Sequence, residues 1–283
     1  MRPIAKMLQG ELTAEELELV PRSYDIIGSE EKAAIVIEIP KELDNKKKII
    51  AEALMQVNKH VKSVLNKLSG RKGTYRLEQL ELIAGEKNTE VLHKEHGYML
   101  KLDPSKVFFS PREATERQRI ASLVKPGENV LVMFSGVCPY AIAICKKQPM
   151  VNKVYAIEIN PDAHKYAQEN VRINRLSHKI VLINGDVKEV SSSLKMKFDR
   201  IVMPIAVSGD NFLDCAFQLL KDSGMIHFYF TGKGDDIFKD AENIVKSVAK
   251  NNKKKIEIEN KIKVLPFATR SYKICLDVKA GVG

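Results

Sequence analysis

The segment Val130–Glu158, VLVMFSGVCPYAIAICKKQPMVNKVYAIE, constrains this chain more than any other. An apolar run, Val130–Phe134, ends in the small-residue turn Ser135-Gly136-Val137. A helical apolar pattern follows, then a second apolar run, Val154–Ile157, closed by the acid Glu158. The order strand, turn, helix, strand has the length of one βαβ unit. A glycine at the turn lets the backbone come close to a ligand, and an acid at the tip of the second strand can accept both hydrogens of a ribose diol. A βαβ unit without a ligand fits the same residues, so the rest of the chain must decide between the two.

Downstream the alternation continues. Asn160-Pro161 opens a helix over 162–174, and Ile180–Ile183 reads as a strand ending at Asn184-Gly185-Asp186. A short helix follows over Val187–Leu194, then a strand, Phe198–Met203. Asn211–Leu220 reads as a helix stopped by Asp222-Ser223-Gly224, Met225–Phe230 as a strand and Asp235–Ala249 as a helix. Two final strands, Lys255–Val264 and Tyr272–Val278, have no long crossover between them. This pattern predicts a mostly parallel α/β sheet with helices on both faces and a C-terminal antiparallel hairpin.

The first 100 or so residues differ in character. Thr13-Ala14-Glu15-Glu16 has the spacing of a capping box and starts a short helix that Pro21 ends. Strands are expected at Tyr24–Ile27, Ala33–Ile39 and Val61–Leu65, and a helix over Glu42–Val57. The basic segment Ser69–Arg76 reads as a solvated loop on composition alone. A hairpin is expected from Glu90–His93 and Tyr98–Leu102, turning at Glu95-His96-Gly97. Ser110-Pro111-Arg112-Glu113 has the form of a helix start: Ser110 as N-cap, Pro111 in the first turn and Glu113 completing a capping box. That helix carries Glu116 in its second turn and stops at Lys125-Pro126-Gly127.

A chain of 283 residues has room for a full α/β domain and a smaller one. Its 44% hydrophobic content supports an ordinary core, and its 29% charged content argues against a membrane protein. The N-terminal stretch MRPIAKMLQGELTAEE lacks the apolar segment of a signal peptide, so a soluble, cytoplasmic protein is expected. The net charge of +10 favours a polyanionic partner, nucleic acid first, although the lysines are dispersed along the chain. Cys138, Cys145, Cys215 and Cys275 form no CxxC and read as buried free thiols. The six histidines make no ligand pattern, and no metal is expected.

Several segments carry a narrower resemblance: KVFFSPREATERQRI, VMFSGVCPYAIAICK, VYAIEINPDAHKYAQENVRIN, INGDVKEV and FDRIVM, with GTYRLEQLELIAGEKNTEVLHKEHGYMLKLD before them. In order and spacing they resemble the archaeal-type tRNA (guanine(37)-N1)-methyltransferase family. The resemblance implies a class I methyltransferase Rossmann-like sheet over 105–283, preceded over 1–104 by a smaller α+β domain that contacts tRNA. The extra N-terminal domain of many members is not expected here. The implied cofactor is S-adenosylmethionine, held by Phe134, Ser135, Gly136, Val137, Cys138 and Ile159, with Glu158 at the ribose and Asp186 and Val187 at the adenine. Phe108 and Arg112 fall where the family's linker closes over the cofactor.

N1 of guanine becomes nucleophilic only when its proton leaves, and Glu116 matches the family's base. Charge then develops on O6, where Arg76 matches the family's arginine on the leading domain. Arg71 and Lys72, with Pro204, Ile205 and Ala206 after the strand Phe198–Met203, are the implied tRNA and target-base contacts. No membrane and no obligatory protein partner are implied.

Three positions depart from the family pattern. Val132 stands where an acid precedes the MFxG segment, Cys138 where the turn has glycine, and Pro204-Ile205-Ala206 where the family has Asn-Leu-Pro. The first two lie near the methionine end of the cofactor. They lend weight to a wyosine-pathway relative that transfers the aminocarboxypropyl group, while Val132 and the missing Asn lend weight to a tRNA-binding homologue with weakened catalysis.

Overall fold

The computed structural model describes residues 3–70, 73, 75, 77–205, 207–268 and 270–281. Arg71, Lys72, Arg76 and Ala206, all expected site residues, lie outside the described residues. The chain divides into two units, Met1–Pro111 and Arg112–Gly283.

In the first unit, α1 (Pro3–Met7) and α2 (Ala14–Leu19) lead into β1 (Asp25–Gly28) and β2 (Ala33–Ile37). Then come α3 (Lys47–Val57), β3 (Val61–Lys67), β4 (Leu80–Gly85), β5 (Val91–Glu95) and β6 (Tyr98–Leu102). The capping box at Thr13 forms: Glu16 N–H donates to the Thr13 hydroxyl and Thr13 N–H to the Glu16 carboxylate. Strands β1 to β4 make one sheet in chain order, with α3 as the crossover that lets β2 and β3 run parallel. Its apolar face packs Ile50 and Leu54 against Ile35, Ile37 and Val64. The β5–β6 hairpin turns through His96 and Gly97, both at positive φ, the backbone that suits a two-residue hairpin loop.

A single 3-10 turn, Pro111–Glu113, spans the boundary between the units and precedes α4 (Ala114–Leu123). Then follow β7 (Asn129–Val132), α5 (Pro139–Lys147), β8 (Lys153–Glu158), α6 (Pro161–Ile173), β9 (Ile180–Asn184), α7 (Val187–Ser193) and β10 (Phe198–Met203). Last come α8 (Leu213–Leu219), β11 (Leu220–Lys233), α9 (Lys239–Asn251), β12 (Ile256–Ala268) and β13 (Ser271–Ala280). The seven strands lie in the order β12-β13-β11-β10-β7-β8-β9, and β13 alone runs against its neighbours. The α/β sheet with its terminal hairpin is the class I arrangement that the sequence predicts. The strand order reverses between β7 and β10, and such a switch opens a crevice at the C-terminal strand ends.

The structure revises three local expectations. Glu113 completes no capping box: it is buried, it makes no cap bond to α4, and its carboxylate receives the Lys273 ammonium at 2.7 Å. Segment 222–224 does not separate helix from strand; α8 passes directly into β11 at Leu220, and a bulge against β10 absorbs the extra residues. Cys215 is only half-buried, whereas Cys138, Cys145 and Cys275 are enclosed. Pro266 lies within β12, where the free edge of the sheet tolerates a missing N–H. Among the described residues no helix is long and apolar enough to cross a membrane.

Candidate functional site

Of the expected cofactor residues, Phe134–Cys138, Glu158, Ile159, Asp186 and Val187 lie at or just after the C-terminal ends of β7, β8 and β9, whereas Phe108 and Arg112 do not. Phe134, Gly136 and Cys138 all have positive φ, so the chain turns tightly as it leaves β7. Ser135 N–H donates to the Ile157 carbonyl at 2.8 Å, and Gly136 N–H to Glu158 Oε2 at 2.7 Å. The other Glu158 oxygen accepts Asn160 N–H at 2.8 Å. Burial pushes the Glu158 carboxyl above its ordinary range, and the backbone N–H groups of Asn160, Gly136 and Ile159 partly oppose that.

The end of β9 is tied to the same place. Gly185 N–H and the Asn184 side-chain amide both donate to the Glu158 carbonyl, at 3.0 and 2.7 Å. Asp186 follows as the N-cap of α7, accepting Lys188 N–H at 2.7 Å, and Val187 is buried behind it. Phe134 packs edge-on against Phe212, with ring centres 4.8 Å apart.

These residues fit a ligand carrying a ribose and an adenine. The Ser135 hydroxyl is buried and has no hydrogen-bond partner among the described residues, a state that a bound polar group would relieve. Glu158 supplies the acid at the second strand's tip. Cys138 is fully enclosed at the start of α5, and Val132 is equally enclosed between Ala156 and Val202.

Glu116 lies on the inward face of α4 and is 6% exposed, so it is not a surface acid. It is held by Arg119, which donates from Nε to Oε2 and from Nη2 to Oε1, both at 2.8 Å. The Tyr229 hydroxyl donates to Oε1 at 2.5 Å. Arg119 also reaches Asp277 Oδ2 at 2.7 Å, and Asp277 Oδ1 lies 2.6 Å from His227 Nδ1. Arg200 sits 2.7 Å from the other His227 nitrogen and pairs with Glu128. Because a guanidinium only donates, His227 Nε2 is the acceptor and Nδ1 carries the proton toward Asp277.

A second branch leads to the turn after β10. Lys273, a residue 3% exposed, donates from its ammonium to Glu113 Oε1 at 2.7 Å and to the Pro204 carbonyl at 2.9 Å. It stands over the Tyr229 ring at 4.9 Å. Tyr140, in the first turns of α5, has its hydroxyl 3.4 Å from both Glu113 Oε2 and the Tyr229 hydroxyl. One helix thus leaves the turn Phe134–Cys138 and reaches the Glu116 network. Pro204 and Ile205 are half-buried; Phe108 is 38% exposed in the first unit, and Arg112 is exposed in the second.

Sequence reasoning did not find Arg119, Tyr140, Tyr229, His227, Lys273 or Asp277 as site residues. A signal did exist for two of them. Lys273, Cys275 and Asp277 alternate along a strand that pairs on both sides, so two ionisable groups share one buried face. His227, Cys275 and Asp277 also offer ligand atoms within 4.8 Å of one another. Arg119 donates to both Cys275 and Asp277, and Arg200 to His227, so each of the three already has a cationic partner.

Residues 91–259 match the model of the TRM5/TYW2 methyltransferase domain, and residues 4–89 that of the TYW2 N-terminal domain. The chain is 39% identical over 260 residues to the tRNA (guanine(37)-N(1))-methyltransferase Trm5b of Pyrococcus abyssi, covering 92% of this chain and 75% of the relative. Among solved structures, a complex of aTrm5 and tRNALeu superposes with a TM-score of 0.84 at 34% identity, over 98% of this chain and 78% of that one. Methanocaldococcus jannaschii TYW2 in complex with AdoMet gives 0.69 at 25% identity, over 91% of this chain and 99% of that one. With its sheet order, its enclosed acid at the second strand and both parts of its length matched, the chain belongs to the TRM5/TYW2 methyltransferase family.

Proposed function

We propose that this protein transfers a methyl group from S-adenosylmethionine to N1 of guanine 37 in tRNA. The observation that carries the reading is Glu116: an acid buried and oriented by Arg119 and Tyr229, in the same unit as the turn at Phe134–Cys138. The cofactor supplies an electrophilic methyl group on a sulfonium. Phe134, Ser135, Gly136, Val137, Cys138, Glu158, Ile159, Asp186 and Val187 are the residues proposed to hold it, with Phe108 and Arg112 closing over it.

Glu116 takes the N1 proton as the methyl group is transferred, so that the N1 lone pair becomes the nucleophile. General-base assistance of this kind contributes about 10²–10⁴-fold in rate. Arg76 is proposed at O6, and Arg71, Lys72, Pro204, Ile205 and Ala206 as tRNA and base contacts, on the resemblance alone. The leading domain, over residues 1–104, is proposed to contact tRNA and residues 105–283 to carry catalysis, with the cytoplasm as the place of action.

A second reading is transfer of the aminocarboxypropyl group to a modified guanine. The match of residues 4–89 to the TYW2 N-terminal domain and the apolar Val132 favour it. One experiment separates the two. tRNA with unmodified guanine 37 and, separately, tRNA carrying the modified guanine are each incubated with cofactor labelled either in the methyl or in the aminocarboxypropyl carbons, then digested to nucleosides. Methyl label at N1 is expected. Label from the aminocarboxypropyl carbons alone would replace the first reading by the second, and no label with tRNA still bound would leave a binding protein.

A further inference from the structure

Lys273 is a cation in the middle of a sheet. It lies on β13 with 3% of its surface exposed, and its ammonium makes three contacts: Glu113, the Pro204 carbonyl and the face of Tyr229. Desolvating such a pair costs about as much as the attraction returns, and well-packed apolar residues commonly do better. Stability alone therefore gives little reason for a lysine at this point.

Its partners have a pattern. Glu113 immediately precedes α4, one turn before Glu116. Tyr229 donates to Glu116 itself. Pro204 begins the turn that leaves β10, beside β7 at the point where the strand order reverses, and Met133 N–H donates to Val202 just before it. One ammonium thus ties the helix that carries the expected base to the turn at the mouth of the crevice. A carbonyl offers no charge and Pro204 no N–H, so an external donor is what can fix this turn.

We propose that Lys273 is a positioning residue for the target base, its ammonium fixing the Pro204 turn and, through Tyr229, the direction of Glu116. The proposal rests on the methyltransferase reading above. Glu113 is the counter-ion that keeps the ammonium buried, not a participant in the chemistry.

The test uses the full chain and two variants. Glu113→Gln/Lys273→Met removes both charges together, so that neither is left unpaired. Glu113→Gln alone leaves the ammonium on Pro204. Methyl transfer to guanine-37 tRNA is followed under single-turnover and steady-state conditions, alongside cofactor affinity and the thermal midpoint. The double variant is expected to lose 10-fold or more in kcat, with KM for tRNA and cofactor Kd each within about threefold, whereas Glu113→Gln keeps its kcat within threefold. A double variant with wild-type kcat would overturn the proposal, as would a folded Glu113→Gln variant that loses 10-fold or more in kcat; the latter arm stands even if the double variant does not fold. A wild-type chain that transfers no methyl group would remove the functional reading and this proposal together, whereas the other two failures leave that reading intact.

Discussion

Arg119 grips both oxygens of Glu116, Nε on Oε2 and Nη2 on Oε1, at 2.8 Å each. This two-pronged contact fixes the plane of the carboxylate as well as its place. Tyr229 adds a donor to Oε1, so among the described residues Oε2 carries the fewer donors. Oε2 is then the oxygen with a lone pair left for a proton from the substrate. Glu116→Gln keeps the shape and removes that acceptor. Its kcat is expected to fall about 10²-fold or more, with tRNA and cofactor affinities within a few-fold of wild type. Near-normal turnover would show that Glu116 is not the base.

Arg119 also serves two acids at once. It spans Glu116 and Asp277, which are 6% and 1% exposed. Removing it leaves two enclosed carboxylates without their shared cation. Arg119→Ala is expected to destabilise the protein by about 3–5 kcal/mol in denaturant unfolding. Arg119→Lys keeps the charge but not the two-pronged grip, so it should recover much of the stability and little of the activity. Equal recovery of both would mean that charge, not geometry, is what Arg119 contributes.

The sheet was legible because its residues obey local rules. Val130–Phe134 and Val154–Ile157 are short apolar runs, His96-Gly97 marks its own turn, and Asn160-Pro161 caps its own helix. The turn Phe134–Cys138 was legible for the same reason, since Gly136 and Glu158 belong to one βαβ unit. The network around Glu116 was not. Arg119 meets Asp277 158 residues away, and Glu113 meets Lys273 at a separation of 160. No window of sequence contains both partners. Capping spacing at Glu113 is a local pattern, and a buried lysine from a distant strand outweighs it.

His227 gives the fold a pH dependence with a definite sign. It is fully enclosed, and burial lowers its pKa below the ordinary 6.5; Asp277 opposes this, while Arg200 and Arg119 add to it. The unfolded chain therefore takes up this proton first as pH falls. Stability is expected to decline from about pH 6.5 downward, by up to about 1.4 kcal/mol per pH unit for one proton. Asp277 acts in the same sense but lower on the scale. Burial alone would raise its pKa, yet His227 and Arg119 hold it well below 3.8, so its contribution is lost only under strong acid. Urea unfolding of wild type and His227→Gln between about pH 7.5 and 5 checks this. The variant should be less stable at the upper end and flatter across the range; parallel curves would assign the decline to other groups.

Cys138 occupies a backbone conformation that suits glycine. Its φ is 74°, and its side chain is wholly enclosed at the head of α5. A left-handed residue with a side chain costs about 1–2 kcal/mol, which glycine avoids. Against this, Cys138→Gly gives up the packing of a buried thiol and gains freedom in the unfolded chain, each a cost of about 1 kcal/mol. The two sides nearly cancel, so Cys138→Gly is expected to melt within a few degrees of wild type. Cys138→Ala keeps the strained backbone and loses the sulfur, so it should melt lower than either. Because the thiol is enclosed beneath the turn, cofactor affinity in Cys138→Gly is expected to stay within about threefold of wild type, as read by calorimetric titration. A gain of 10-fold or more would show instead that the thiol crowds the cofactor, and that a glycine at this position is what the cradle requires.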